Sequence, residues 1–310
     1  MGSRVFGKRW VAVLCSLLCA LLWGIGFPLI KLGYAHVGIE SANPYGTILF
    51  AGIRFFFAGL ITIPISKPWQ KRSIRKTPSG IAMILALALV QTVMQYVFQY
   101  IGISNTSGST SSIIGQSNVF LLCFLSPLFF NDDRITIKKI IGCAIGFTGI
   151  IIVNIKDGMQ FSFNPSGELL VLFASIAASI GFIMGKKISA NQNAAAVSSI
   201  QQTAGGLILI AVGLIGGGRF TKFDVQAIPI ILILILSAAV ANTLWGVLLK
   251  HNPISCISVY KFATPMFGMI FSALLLNEDI FKWSKIIALF AVGIGIFTVN
   301  YSRKRKTQDD

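Results

Sequence analysis

Apolar side chains in this 310-residue chain come in long unbroken blocks and not in alternation. No charged residue occurs from Val11 to Ile30, and none from Gly80 to Asn131. A helix crossing a hydrocarbon core of about 30 Å needs about 20 mostly apolar residues. On that rule the pattern predicts ten spanning helices, over roughly 11–33, 46–66, 80–103, 109–130, 137–155, 167–186, 195–216, 227–249, 254–276 and 284–301. A transmembrane β-barrel would instead show alternating segments of about ten residues, and runs such as Ile228 to Leu236 do not alternate. Arg4, Lys8 and Arg9 before the first block resemble the start of a signal peptide. The block continues past Trp23 to Ile30 without a small-residue cleavage site, so it reads as a retained first span.

Composition agrees. AVILMFWYC residues make up 55% of the chain and charged residues 12%, about half the roughly 25% of a soluble domain. So few charges cannot clothe a soluble surface, and the same numbers exclude disorder, collagen and a disulfide scaffold. The fold class expected is an all-α polytopic membrane protein. The five cysteines, Cys15, Cys19, Cys123, Cys143 and Cys256, lie in or beside apolar runs without C-x-x-C spacing. They read as small buried residues and not as metal ligands. No metal or other cofactor is expected.

The net charge of +16 would suggest nucleic acid in a soluble chain, but its distribution gives a better account. With the N-terminus inside, eighteen of the 26 Lys and Arg fall in inside segments: Arg4 to Arg9, Lys67 to Lys76, Arg134 to Lys139, Lys186–Lys187, Lys250 and Arg303 to Lys306. Six fall outside, and Arg54 and Lys261 fall within spans. The positive-inside rule then places both termini in the cytoplasm. Trp10, Trp69 and Trp283 fall at the expected water interfaces. His36 and His251 fall in connections and are expected to be solvated.

The chain also contains itself twice. At an offset of 146, Asn131-Asp132-Asp133 falls on Asn277-Glu278-Asp279, and Lys139-Ile140-Ile141 on Lys285-Ile286-Ile287. Near 147, Gly59-Leu60-Ile61 meets Gly206-Leu207-Ile208; near 155, Ile25-Gly26-Phe27 meets Ile180-Gly181-Phe182 and Lys31 meets Lys186. Each half, 11–155 and 167–302, then holds five spans. Five is odd, so the second half enters the membrane from the opposite side. Ten transmembrane helices as two inverted five-helix repeats place a substrate site near the bilayer midplane; duplication kept only for packing is the competing reading.

At this point the residues resemble a known family. Leu22-Trp23-Gly24 with Phe27-Pro28 and Lys31, then Arg54-Phe55-Phe56-Phe57-Ala58-Gly59, the Ser/Thr-rich turn Ser104 to Ser112, and Thr264-Pro265 followed by Leu275-Leu276-Asn277-Glu278 resemble the drug/metabolite transporter superfamily, in its EamA-type members. The resemblance covers residues 10 to 302. It implies a secondary transporter, with the fold just described, in the plasma membrane of a bacterium. The family moves amino acids, sugars, nucleosides, vitamins and other metabolites, so it does not name a substrate.

Polar groups inside spans are costly and mark cavities or helix contacts. Gln91, Gln95 and Gln99 stand at i, i+4 and i+8 on one face of the third span, beside Tyr96 and Tyr100. Asn242 falls opposite Gln95 in the repeat, near Thr243 and Trp245. Together with Trp23, Asn118, Arg54 and Lys261 these are the expected substrate-binding residues, and helix packing is the alternative at each. Gln116, Gln201 and Gln202 read more readily as packing. Span interiors hold the cations Arg54 and Lys261 but no Asp or Glu. That pattern suits an anionic or zwitterionic metabolite, such as an amino acid, and argues against proton-coupled export of cationic drugs through a membrane carboxylate. Gly142, Gly146, Gly149, Gly293 and Gly295 suit close helix packing, with dimerisation as the alternative; a monomer or weak homodimer is expected. The tail Arg303 to Lys306 reads as a stop signal in contact with anionic lipid. No H-E-x-x-H, G-x-S-x-G or Walker motif occurs, so an embedded enzyme and an ATP-driven pump have no sequence support. The Gln stripe occurs in one half only, which argues against a channel ring. The expected partners are therefore a small-molecule substrate and the lipid bilayer, not nucleic acid.

Overall fold

The computed structural model describes residues 5–39, 43–66, 78–105, 111, 114–154, 165–276 and 283–301. The basic segment 67–76, the acidic turn at 278–279 and the tail 303–306 lie outside the described residues. Among the described residues helix is the only regular structure. In chain order the rods are α1 (Arg9–Val37), α2 (Pro44–Ser66), α3 (Pro78–Leu87, Ala88–Met94 and Gln95–Ser104), α4 (Ser117–Phe129) and α5 (Ile137–Asn154), then α6 (Pro165–Leu169 and Leu170–Asn191), α7 (Ala194–Ile215), α8 (Ala227–His251), α9 (Ile254–Ser258, Val259–Phe262 and Ala263–Leu276) and α10 (Trp283–Tyr301). Seven of them, α1–α3 and α6–α9, are long and apolar enough to cross a bilayer, and α4 and Phe290–Val299 within α10 are shorter apolar helices. At 1.5 Å per residue the 29 residues of α1 reach about 44 Å, enough to include both headgroup layers. Side chains such as Leu128, Ile137, Ile215 and Phe297 point outward with most of their surface exposed, as lipid-facing residues do. The protein is a multi-pass membrane protein.

Local chemistry sets the ends and the interruptions. α1 stops at Gly38, whose φ of 69° is left-handed and whose amide donates to the Tyr34 carbonyl; glycine adopts that geometry without penalty. α7 starts at Asn193, whose side chain accepts from the Ala195 and Ala196 amides at 3.0 and 3.4 Å. α9 tightens into a 3-10 turn over Val259–Phe262. Pro265 explains this: it has no N–H to give to the carbonyl four residues back, at Lys261. α3 widens into a π turn over Ala88–Met94. That turn is received by two glycines, since a methyl on Gly181 would stand 2.5 Å from Gln91 Cβ and one on Gly205 2.5 Å from Thr92 Cβ.

Helix pairing follows a rule. α2 packs along α7 and α5 along α10; α1 packs on α8 and α9, and in the same way α6 packs on α3 and α4. Exchanging each helix n with n+5 returns these pairs. Glycines make the two long seams possible: an added methyl would lie 2.3 Å from Phe56 N at Gly206, and 2.6 Å from the Gly142 carbonyl at Gly295. The Gly142-x-x-x-Gly146 motif is therefore filled within the chain.

The two ends of the bundle are marked by cross-links. At one end the Asn252 side chain donates to the Phe6 carbonyl at 3.0 Å and Lys186 pairs with Asp132 at 2.9 Å. At the other, Thr221 donates to the Gly38 carbonyl at 2.7 Å and His36 Nδ1 lies 2.9 Å from Asp224. α1 and α6 thus run in opposite directions. The Gln226 amide, then the His36 ring, holds the Asp224 carboxyl below the usual carboxylate range. Both histidines differ from expectation: His36 is in the last turn of α1 against Asp224, and His251 ends α8 stacked on Phe6 with ring centroids 6.5 Å apart.

Candidate functional site

A cavity of about 690 Å³ lies between the two sets of five helices, walled by α1, α2, α3, α6, α7, α8 and α9 and by the start of α4 with the residues leading into it. That size is within the range of small-molecule sites. All nine residues expected to bind substrate lie on its wall: Trp23, Arg54, Gln91, Gln95, Gln99, Asn118, Asn242, Trp245 and Lys261. Gln116, Gln201 and Gln202, which read as packing residues, lie on it too. Its ends differ. Lys31, Ile103 and Ser104 at one end are exposed, whereas Ser189, Ala194 and Leu249 at the other are buried. Among the described residues the cavity is open at the end of His36 and closed at the end of Asp132.

Two regions can be distinguished along it. Nearer the closed end, Lys261 is carried by the 3-10 turn of α9, so the proline that breaks the helix also sets this cation. Its Nζ stands 4.5 Å from the Phe182 ring centroid and 5.6 Å from that of Trp23. Trp23 and Trp245 meet edge to face at 5.1 Å, and Phe182 lies 6.0 Å from Trp245. Around these rings runs a polar chain: Trp23 Nε1 donates to Asn242 at 3.1 Å, Asn242 to Gln202 at 3.0 Å, and Gln202 to the Ser198 hydroxyl at 3.2 Å. Each donor finds an acceptor, so the chain fixes the Trp23 ring and the amide flips together.

The second region centres on Arg54, midway along α2. Its guanidinium lies over the Phe55 ring at 4.6 Å, and Phe55, Tyr96 and Tyr100 follow as a row of mutually tilted rings with successive centroids 4.6 and 6.0 Å apart. Arg54 is 9% exposed and its Nε finds no partner among the described residues. The same is true of Ser111 Oγ, Asn118 Oδ1, Trp245 Nε1 and Thr264 Oγ1 on the cavity wall. Buried polar groups in folded proteins are otherwise almost all satisfied, so this wall is chemically incomplete without a polar occupant. On the opposite side Gln201 donates to Gln91 at 3.2 Å and to Thr92 at 3.0 Å, tying α7 to the π turn of α3.

Charge on the wall is of one sign. Lys31, Arg54 and Lys261 line the cavity, with no Asp or Glu among the described lining residues. Among the described residues no group of three His, Cys, Asp or Glu side chains is placed to hold a metal. Aromatic faces solvate the two deep cations in part, and amides and indole N–H groups supply directional contacts. Such a site can receive an anionic or zwitterionic organic molecule. Phe182 was not among the residues expected here; its place in Ile180-Gly181-Phe182, aligned with Ile25-Gly26-Phe27 in the repeat, was the available signal. Tyr34, also on the cavity wall, gave no such signal.

Comparison with known proteins agrees with this architecture. The model of the EamA-like transporter family matches residues 10–155 and again residues 165–301. The chain is 25% identical over 285 residues to the uncharacterized inner membrane transporter YedA of Escherichia coli K12, covering 90% of this chain and 86% of that one. It is 25% identical over 301 residues to the uncharacterized transporter YvbV of Bacillus subtilis, covering 96% and 93%. It is also 25% identical to the chloroplastic WAT1-related protein At3g02690 of Arabidopsis thaliana, covering 88% and 68%. A solved crystal structure superposes with a TM-score of 0.79 at 14% identity, covering 96% of this chain and 99% of the other, which shows a shared fold. The family match extends over both halves of the helical bundle and the cavity between them, and on that ground the chain belongs to the EamA-like transporter family.

Proposed function

We propose that this transporter is a secondary carrier that exports small polar organic metabolites bearing a carboxylate or similar anion, amino acids and related zwitterions among them. The observation that carries the reading is the one-signed wall of the cavity, with Arg54 and Lys261 held by aromatic rings and no carboxylate among its described lining. A basic group buried in hydrocarbon costs about 2.5–3.5 kcal/mol even on the lenient insertion scale, and an anionic visitor in a wet cavity relieves that cost. Lys261 meets the anion, Arg54 attracts it from the open end, and Asn242, Gln91, Gln95, Gln99 and Asn118 bond its polar groups while Trp23 and Trp245 pack on its apolar part. No carboxylate among the described lining residues is available to carry a coupling proton, so the substrate gradient itself or exchange drives the cycle.

The reading includes ten spans in two inverted repeats, 11–155 and 167–302, with both termini in the cytoplasm and the open end facing out. Its support is the pairing of helices under exchange of n with n+5, the opposite directions of α1 and α6, and the separate match of the family model to each half. Alternating access follows when one half rocks on the other around a fixed site. The test is a thermal-shift screen of the purified protein against carboxylates, phosphates, zwitterions and amines, followed by counterflow in proteoliposomes. Anionic or zwitterionic hits that show saturable counterflow, weakened at least tenfold by Lys261→Met, support the reading. Binding and counterflow confined to cationic amines overturn it.

A further inference from the structure

The n to n+5 pairing rule has exceptions among the described residues. α6 touches α8, but their mates α1 and α3 make at most a marginal contact. The 3-10 turn of α9 touches α5, and the mates α4 and α10 again show no comparable contact among the described residues. If the halves are equivalent and inverted, one conformation of the bundle must break the symmetry at one end or the other.

Charged side chains also tie the two halves together at the closed end. Asp133, 1% exposed, follows α4 and is surrounded on all sides. Lys139 of α5 reaches its Oδ1 at 2.7 Å, Ser126 of α4 donates to its Oδ2 at 2.7 Å, and the Ser255 amide of α9 donates to Oδ2 at 2.8 Å. The Ser255 hydroxyl bonds Oδ1 as well, and Lys139 also donates to the Arg134 carbonyl and to Ser255. One carboxylate therefore ties α4 and α5 of the first half to α9 of the second. Beside it Lys186 of α6 bridges Asp132 and the Asn252 carbonyl, both at 2.9 Å, and covers the Phe130 ring at 4.7 Å. These two ties cross between the halves at the end where the cavity is shut, and none of their residues is needed to form the cavity wall.

We propose that Asp133, with Lys139, Ser126 and Ser255, is the latch of the gate at this end, that the Lys186–Asp132 tie is its secondary fastening, and that transport requires the latch to part. The proposal rests on the alternating-access reading above. These are positioning residues: they select which mouth is open and do not touch the transported molecule. A buried carboxylate bonded by one ammonium and by donors from two other segments has no stable half-open arrangement, because losing one segment leaves a buried charge short of partners. The latch is therefore suited to two discrete states, and an occupant that draws α9 through Lys261 pulls directly on the segment carrying Ser255.

The test uses a membrane-impermeant maleimide on vesicles of both orientations. Ser189→Cys reports the closed end of the cavity and Gln99→Cys the open end, each read against the background of the five native cysteines. Asp133→Asn is expected to raise Ser189→Cys labelling from the Asp133 face at least tenfold and to lower Gln99→Cys labelling from the opposite face. Asp133→Glu, which keeps the charge, leaves labelling near that of the parent. Lys186→Met, whose partner Asp132 is exposed, serves where Asp133→Asn does not fold, and is expected to raise Ser189→Cys labelling at least threefold. Folded Asp133→Asn or Lys186→Met protein with unchanged Ser189→Cys labelling overturns the latch. Gln99→Cys unreactive from the open face in the otherwise unchanged chain overturns instead the open cavity on which it rests.

Discussion

Two glycines on α10, two residues apart, separate packing from propensity. Gly293 is exposed and a methyl added there meets nothing within 4 Å; at Gly295 the same methyl lies 2.6 Å from the Gly142 carbonyl, 2.7 Å from Gly146 N and 2.9 Å from Gly146 Cα. Gly→Ala inside a helix gains about 0.8–1.0 kcal/mol in intrinsic propensity. At Gly293 that gain stands alone. At Gly295 the obstructing atoms are backbone, so α5 must move by about 0.8 Å to restore ordinary contact, and overpacking of this kind costs about 1–3 kcal/mol. The propensity gain is common to both and cancels, so the two variants should differ by about 1–3 kcal/mol, with Gly293→Ala at or above the parent and Gly295→Ala at or below it. Thermal unfolding in one detergent, monitored by near-UV circular dichroism, measures the difference, and size-exclusion chromatography with light scattering checks the oligomeric state. If Gly293→Ala is as damaging as Gly295→Ala, or if Gly295→Ala changes the oligomer and leaves the Tm alone, the glycines serve an interface between chains and the seam between α5 and α10 is misread.

Asn242→Ala removes the acceptor of Trp23 Nε1 and the donor to Gln202; at about 0.6 kcal/mol for each interhelical bond in a membrane, unfolding in detergent should show a loss near 1 kcal/mol together with a shift in tryptophan emission. Gly181→Val drives its side chain into Gln91, and counterflow should fall more than tenfold while Gly185→Ala, with nothing closer than 3.9 Å, is mild. For Asp133, burial alone would raise the carboxyl, but the Lys139 ammonium and the bonds from Ser255 outweigh it and hold it below the usual range. A depressed value means that its contribution is complete above the unfolded pKa of about 3.9 and is lost as pH falls through the lower folded value; unfolding scans should be flat from pH 7 to 5 for this group and show the loss only below about pH 4.

Much of this architecture was legible in the residues, because lipid makes helix length and burial nearly the same question. The blocks at 11–33 and 227–249 became α1 and α8 with ends moved by at most four residues, where the last turns of α1, up to Gly38, and of α8 extend past the apolar stretch. The polar positions Gln91, Asn242 and Lys261 stood out because a polar group in hydrocarbon needs a reason, and all three are on the cavity wall. What could not be read is what depends on distant partners. His36 looked solvated because Asp224 is 188 positions away, and Asp133 looked like an ordinary loop acid because Ser255 comes from the other half. Gln201 and Gln202 looked like packing; they do bond neighbouring helices, and the same bonds turn their remaining surface to the cavity. Pro265 did carry a readable consequence, a carbonyl at Lys261 left without its usual donor, and the 3-10 turn sits there. The π turn at Gln91 has no such mark: Gly181 and Gly205, which receive it, lie on other helices.

The claim that one cavity opens alternately at its two ends is tested most directly by paired distances within single molecules. Double electron–electron resonance between spin labels at Ser104 and Val225 reports the open end, and between labels at Ile137 and Ala190 the closed end, each pair spanning the two halves and all four being exposed positions. Addition of a transported solute, or Asp133→Asn, should shorten the first distance and lengthen the second in the same fraction of molecules. Two distances that stay fixed under both, or that grow together, would contradict it.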